Sequence, residues 1–116
     1  MNDWKVVPKR NTVNGLKFRL SGKGHTLTVY IGSDIRRKLK QYKPNGWCNI
    51  YSKSNNLMVQ MGCVSDSNSR RVGTHIFSLP YSLVEAYWKD GAREIEIPAA
   101  VEKGNLILLD LRDLSK

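Results

Sequence analysis

The chain has 116 residues, an apolar fraction of 41% and a formal net charge of +9, which fit one globular domain with a single core. No run approaches the roughly 20 apolar residues that cross a membrane, and the N-terminal MNDWKVVPKR lacks the apolar core of a signal peptide. We therefore expect one domain, no membrane partner and a cytoplasmic location.

The positive charge is concentrated in the first part of the chain. Residues 1–71 hold 14 lysines and arginines against Asp3, Asp34 and Asp66, a balance of +11, whereas residues 72–116 hold five basic and seven acidic residues, a balance of −2. Such concentration is typical of a basic face that binds phosphates or an acidic partner. We expect nucleic acid as the partner, with an acidic protein surface as the alternative.

Two strands are predicted near the start of the chain. In residues 16–20, LKFRL, apolar and basic side chains alternate, which predicts a half-buried strand with a basic outer face. Residues 21–24, SGKG, are predicted to form a turn between the strands. Their two glycines do not form a phosphate-binding loop, because the P-loop pattern G-x-x-x-x-G-K-[ST] is absent. Residues 27–31 alternate again and form the second strand.

A short basic helix is predicted over Ile35–Tyr42. Ser33 or Asp34 is suited to cap its N-terminus. Ile35 and Leu39 lie one helical turn apart and should face the core, with basic residues on the other faces. The Pro-Asn-Gly that follows ends the helix.

A hairpin and a polar connector follow the helix. Residues 47–51 and 57–61 are predicted strands, joined by a polar turn. Residues 62–73, GCVSDSNSRRVG, are rich in serine, asparagine and glycine, which predicts an exposed connector. Its Arg70 and Arg71 are either simply solvated or provide an additional phosphate contact.

The second half repeats this order of elements. The predictions are a strand at 76–79, a helix that starts at Pro80, an acidic-faced strand at 93–97, a final apolar strand at 106–111 and a tail at 112–116. A shift of 48 residues pairs Val29 with Phe77 and Ile31 with Leu79. We therefore predict a mainly β domain with two short helices, a small β-barrel built from two strand-helix-hairpin repeats at about 16–61 and 74–111.

The segment IGSDIRRKL at 31–39 resembles the AbrB and MazE family of swapped-hairpin DNA-binding domains. In that family a strand ends in a short I-P-x-x-[IL]-R-x-x-L helix, and a hairpin follows. Here Gly32 stands where proline is usual, whereas LPYSLVEAY at 79–87 restores the proline and lacks the arginine. The resemblance implies a non-enzymatic DNA-binding protein that regulates transcription and contacts DNA mainly through the first unit. The family's shorter units pair as intertwined dimers, so two units in one chain imply either a closed monomer or a homodimer.

We find no catalytic or metal-binding pattern in the sequence, and we expect no enzyme activity, no cofactor and no metal site. Cys48 and Cys63 cannot form a zinc site by themselves, and are either buried free thiols or one disulfide. The remaining candidates for chemistry are interpreted as surface or packing residues: His25, His75, Glu94 and Glu96.

The candidate site is a basic surface for nucleic acid. Neutralising phosphates releases counterions, so its binding should weaken steeply with salt. Arg36 and Arg37 are suited to bidentate contact with phosphate or guanine. Aromatic residues lie among the charges, either for packing or for stacking single-stranded bases. The candidate residues are Lys17, Arg19, Lys23, Arg36, Arg37, Lys40, Lys43 and Lys53, with Arg70 and Arg71 of the connector.

Three functions are consistent with these patterns. The leading hypothesis is a DNA-binding protein, such as a transcription regulator. The alternative is a small phage or mobile-element protein that binds and inhibits a host protein or nucleoprotein through the basic face. The third is a binder of RNA or single-stranded DNA.

Overall fold

The structure is a computed structural model that describes residues 14–40 and 46–116. Within these ranges the chain forms β-strands, one α-helix and short 3-10 turns. The strands are β1 (Leu16–Leu20), β2 (Thr26–Ile31), β3 (Trp47–Lys53), β4 (Asn56–Cys63), β5 (Arg70–Arg71), β6 (Ile76–Pro80), β7 (Glu94–Ile97), β8 (Ala100–Glu102) and β9 (Leu106–Asp110). The helix is α1 (Ser33–Lys38), and the 3-10 turns are Tyr81–Leu83, Glu85–Tyr87 and Leu111–Ser115.

The strands form two antiparallel sheets, so the predicted mainly β class is confirmed. Sheet A has the order β6-β2-β1-β7, and sheet B has the order β5-β3-β4-β9-β8. The chain crosses from sheet A to sheet B at Pro98 and Ala99, between β7 and β8. Proline has no N–H for the ladder, so it ends β7 there. The ladders of the described residues do not close into a barrel.

Strict alternation puts the apolar side chains of both sheets into one core. Leu16 and Phe18 of β1 are fully buried beside Val29 of β2. Lys17 and Arg19, which alternate with them along the strand, face outward. In sheet B, Val59 and Ile107 lie opposite each other and are buried in the same cluster. Because the pattern has a period of two, it determines which face of each strand is buried.

Strands at equivalent positions in the two predicted units pair with one another. In sheet A, β2 pairs with β6 and Val29 lies directly opposite Phe77, its expected counterpart. In sheet B, β4 pairs with β9, and both ladders are antiparallel. Two units related by a local twofold axis would pair in this way. The duplication itself stays a prediction.

The two predicted helices are shorter than expected. Helix α1 ends at Lys38 because Leu39 is extended, with a ψ of 119°. The prediction of a helix that starts at Pro80 is wrong. In place of an α-helix, the chain forms two 3-10 turns that meet at the buried Val84. After those turns, the Trp88 ring packs edge-on against Tyr81 at 6.1 Å between centroids. Burial of Val84 in the common core, together with this ring packing, overrides the helical spacing of the sequence.

Two segments that were predicted to be exposed contribute to the core. The tail prediction is wrong, because Leu111–Ser115 is a 3-10 turn that buries Leu111 and Leu114. The connector contains β5, which pairs with β3, and the next residue, Val72, is fully buried. Strand β8 was not predicted at all. These elements gain their stability from tertiary contacts rather than from local pattern.

An exposed ion pair lies at the start of the C-terminal turn. The Arg112 side chain donates to Asp110, with Nη2 at 2.6 Å from Oδ2, and this hydrogen bond lowers the pKa of the Asp110 carboxyl to about 2. The pair therefore stabilises the fold above the ordinary pKa of 3.8, and its contribution is lost as the pH falls towards 2. We expect the carboxyl resonance of Asp110 to titrate near pH 2 by NMR. Its midpoint should rise in Arg112→Gln, which loses the guanidinium but keeps the backbone hydrogen bond to Asp110 Oδ1. An unchanged midpoint in that variant would contradict the assignment to Arg112.

Candidate nucleic-acid interface

The fold separates the predicted basic residues into five groups. Lys17 and Arg19 lie on the outer face of sheet A, Lys23 in the β1–β2 turn, Arg36, Arg37 and Lys40 at α1, Lys53 at the end of β3, and Arg70 and Arg71 on β5. Lys43 lies outside the described residues. The candidate site is therefore several surfaces, which differ in how many acidic neighbours they have.

The basic outer face of β1 is partly neutralised by the second half of the chain. Strand β7 pairs with β1, so that Arg19 lies opposite Glu94 and Lys17 opposite Glu96. The Glu94 carboxylate is 3.6 Å from Lys17 Nζ and 3.7 Å from Arg19 Nε. Lys17 Nζ also lies 5.3 Å from the centroid of the Tyr30 ring. The charge asymmetry along the sequence is thus reduced on this sheet.

Lys23 and Lys53 lie far from α1. Helix α1 follows the end of β2, whereas Lys23 precedes its start, which is roughly 17 Å away along the strand. Trp47, which lines the same depression as Lys40, lies at the start of β3. Lys53 lies at the other end of that strand, roughly 20 Å away. Beside Lys53, a depression of about 520 Å³ is lined mainly by apolar groups that include Met58, Leu108 and the half-exposed Tyr51.

Helix α1 is held against β1 by its backbone and by Asp34. Ile35 and Leu39 are buried, as predicted from their spacing. The Asp34 carboxylate accepts hydrogen bonds from Gly15 N at 2.9 and 3.2 Å, and Gly32 N donates to Gly15 O at 2.8 Å. The predicted N-cap is wrong, because the capping position is Gly32 without a side-chain bond. Asp34 instead joins the helix to the first strand.

The arginines of α1 are tied back through one nitrogen each. Arg36 Nε donates to Ile31 O at 3.1 Å, and Arg37 Nε donates to Ser33 O at 3.3 Å. These bonds orient each guanidinium, and within the described residues its two terminal nitrogens form no further hydrogen bond and can donate to a ligand. In residues 14–40 and 46–116, the ion pairs involve Lys17, Arg19, Arg112 and Lys116, and none involves a cation of α1.

The turn between β8 and β9 adds a cation to the α1 group. Lys40 N donates to Gly104 O at 2.7 Å, and a Cβ on Gly104 would lie 3.1 Å from the Lys40 side chain. This contact brings Lys103 of the second half next to α1, although β8 also carries the exposed Glu102. We call Arg36, Arg37, Lys38, Lys40 and Lys103 the α1 surface.

Lys38 and Lys103 were missed as candidates in the sequence. Lys38 occupies an exposed position of α1 between the chosen Arg37 and Lys40, so its helical neighbourhood was a sufficient signal. Lys103 lies in the segment with a net negative charge, and no local pattern connects it with α1. Only the contact between Lys40 and Gly104 places it there.

A depression of about 440 Å³ lies beside Lys40 of the α1 surface. It is lined by Lys40, Gly46, Trp47, Met61, Gly62, Cys63 and Val72. Trp47 pairs with Arg71 and Cys48 with Arg70 in the short β3–β5 ladder. The β5 arginines therefore lie next to Trp47 but outside the lining of this depression.

The two cysteines next to this depression are free thiols. Cys48 is buried, and burial raises its pKa to about 11; the nearby Cys63 contributes in the same direction and Arg70 opposes it. The Cys48 thiol is therefore protonated and inaccessible at neutral pH. Cys63 is half-buried and lines the depression.

No cluster of three or more potential metal ligands occurs in residues 14–40 and 46–116. In the same ranges, no helix has the length and apolar character required to cross a membrane. Comparison of the chain with protein-family models, curated proteins and solved structures found no match.

Proposed function

We propose that the chain is a non-enzymatic, cytoplasmic DNA-binding protein, an AbrB/MazE-like transcription regulator, which binds phosphates through the α1 surface. One observation carries this proposal. The α1 surface presents five cations on a helix and an adjacent turn, and none of them forms an ion pair within the described part of the chain. Unpaired cations on a rigid element are available to phosphates without first losing an internal partner.

The proposed mechanism is neutralisation of the DNA backbone. Arg36 and Arg37 are pre-oriented by their backbone bonds, so little side-chain freedom is lost when their terminal nitrogens meet phosphate oxygens. Lys40 and Lys103 extend the contact along the strand. We assign a smaller role to Lys17 and Arg19, because Glu94 competes with DNA for them.

We further propose that the two sheets are the halves of a small β-barrel of two repeated units. The antiparallel pairing of β2 with β6 and of β4 with β9 supports this arrangement. Sedimentation equilibrium would determine whether such a chain is a monomer or a homodimer.

The test is the double substitution Arg36→Ala/Arg37→Ala. We expect its affinity for duplex DNA at low salt to fall about 10-fold or more, because each charged hydrogen bond contributes about 1.5–3 kcal/mol. We also expect the plot of log K against log salt to become less steep by about 2 units. Fluorescence anisotropy titrations over a series of salt concentrations measure both.

The matched control is Arg112→Ala/Lys116→Ala. It removes the same formal charge, but these cations are paired with Asp110 and Asp113. We expect a much smaller loss of affinity. Equal losses of affinity in the two variants would mean that binding depends only on the net charge of the protein, which contradicts a role for α1. A wild-type protein that binds no nucleic acid at low salt would overturn the proposal.

A protein partner is the second candidate function. The observation that favours it is the apolar depression between Tyr51, Met58 and Leu108, which has Lys53 at its edge. An exposed apolar strip beside a cation suits an acidic protein segment better than DNA. This is the interaction expected of a protein that inhibits a host protein, and substitution of Met58→Glu should abolish it while DNA binding persists.

A further inference from the structure

The depression next to α1 lies at an irregularity in sheet B. In the β3–β4 ladder, Trp47 pairs with Cys63 and the next residue, Cys48, pairs with Met61. Gly62 is therefore an extra residue without a pairing partner, and it has a φ of +75°. This is a β-bulge with glycine in the left-handed conformation, a feature that interrupts pairing and redirects neighbouring side chains. We call the depression the bulge pocket.

The walls of the bulge pocket combine an aromatic ring, apolar groups and a cation. Trp47 is half-buried and supplies a large flat surface, Met61 and Val72 are buried, and Lys40 is exposed at the rim. The volume of about 440 Å³ lies within the usual range for small-ligand sites. A planar, apolar-faced group with a negative charge beside it matches these walls.

Two cations adjoin the bulge pocket. Lys40 lines it, and the exposed Arg71 of β5 pairs with Trp47 just outside its lining. A nucleotide strand has the same alternation, with a phosphate on each side of every base. A free anion such as inorganic phosphate would use the cations but would leave the Trp47 ring without a role.

We infer that the bulge pocket binds one unpaired base of single-stranded DNA, which stacks on Trp47 while its flanking phosphates contact Lys40 and Arg71. The inference rests on the proposed DNA-binding function and specifies which form of DNA is preferred. In a duplex both faces of a base are covered by its neighbours, so only an unpaired base presents a free face to an indole ring. The α1 surface continues the phosphate contacts beyond Lys40.

The experiment compares two DNA probes and three variants. The probes are a single-stranded oligonucleotide of about 15 nucleotides, near the upper site size of small single-strand-binding domains, and a hairpin duplex of similar charge. The variants are Trp47→Leu, Trp47→Phe and Tyr51→Leu. Tyr51 is the matched control because it is an exposed aromatic residue on the same strand, outside the bulge pocket.

We expect the wild-type protein to bind the single strand more tightly than the duplex. Trp47→Leu should weaken single-strand binding about 10-fold or more, as loss of one base-aromatic stack does. The same change should leave duplex binding nearly unaltered, Trp47→Phe should retain most of the affinity, and Tyr51→Leu should resemble wild type. Circular dichroism checks that each variant is folded.

Cys63 provides a second readout that uses the wild-type protein alone. A maleimide at neutral pH should modify Cys63 and spare the buried Cys48. The single strand should slow modification of Cys63, since this residue lines the bulge pocket. The duplex, which meets only the cations outside, should protect it less.

The outcomes separate the inference from the function on which it rests. Equal affinity for both probes, or single-strand binding that ignores Trp47→Leu with no protection of Cys63, would overturn the inference and leave DNA binding intact. A protein that binds neither probe at low salt would overturn both. If Trp47→Leu fails to fold, the protection of Cys63 decides, and equal protection by the two probes would overturn the inference.

Discussion

Gly15→Ala is expected to destabilise the protein by about 3 kcal/mol or more. Gly15 has a φ of +69°, where a side chain costs about 1–2 kcal/mol. A Cβ there would overlap the carbonyl oxygen of Ile97 and lie 3.1 Å from Ile97 C and Pro98 Cα. All three are backbone atoms, so relief requires β1 and β7 to move apart. Denaturant unfolding, followed by circular dichroism, measures the change.

Two other glycines separate the sources of this destabilisation. Gly24 also has a positive φ, +75°, but nothing lies within 4 Å of its Cβ position, so Gly24→Ala should cost only the conformational part. Gly22 has open space and no positive φ, and Gly22→Ala should be nearly neutral. If Gly15→Ala and Gly24→Ala were equally destabilising, close packing of β1 against the β7–β8 crossing would be contradicted.

Because Gly15 also holds α1, its substitution should affect the candidate interface. Gly15 N donates to Asp34 and Gly15 O accepts from Gly32, so a shift of β1 displaces the start of the helix. We expect the folded fraction of Gly15→Ala to bind DNA more weakly than wild type, whereas Gly24→Ala should not differ. This links the stability of sheet A to the orientation of the α1 surface.

Leu114→Ala should destabilise the protein by about 2–5 kcal/mol, the usual range for a buried leucine. Leu114 has 0% exposure although it is two residues from the C-terminus. The C-terminal turn is attached to the segment that ends the 3-10 turn at Glu85–Tyr87, since Ser115 Oγ donates to Tyr87 O and Lys89 Nζ donates to Lys116 O. Removal of the leucine side chain leaves a cavity beneath this turn.

The control for Leu114→Ala is Val64→Ala, an apolar truncation at a side chain that is 79% exposed. Thermal unfolding should show a clear decrease in the midpoint for Leu114→Ala and almost none for Val64→Ala. A midpoint for Leu114→Ala that matches wild type would contradict the packing of the C-terminal turn against the core.

The sequence was a good guide wherever a strand alternated. LKFRL at 16–20 and EIEI at 94–97 each alternate with a period of two, and both form strands with the expected buried faces. The same reasoning found β2, β4, β6 and β9 because a half-buried strand imposes its pattern locally. It failed at the 3-10 turns after Pro80 and at the C-terminus, where burial against distant residues decides the backbone conformation.

For the candidate site, composition and helical spacing predicted a basic chain in which Arg36, Arg37 and Lys40 accompany a short helix, and they predicted that Ile35 lies in the core. Charge and helical spacing are local properties, so they can be read from neighbouring residues. Which cations are available could not be predicted in this way, because availability depends on partners far along the chain.

Strand pairing brings Glu94 to Lys17 and Arg19 and reduces their charge, whereas no such partner reaches α1 within the described residues. The hydrogen bond from Lys40 N to Gly104 O adds Lys103 to the α1 surface, and the irregular pairing of β3 with β4 lies at the bulge pocket beside Trp47. Coulomb interactions and packing depend on distance in space rather than on separation in sequence, and the fold alone sets those distances.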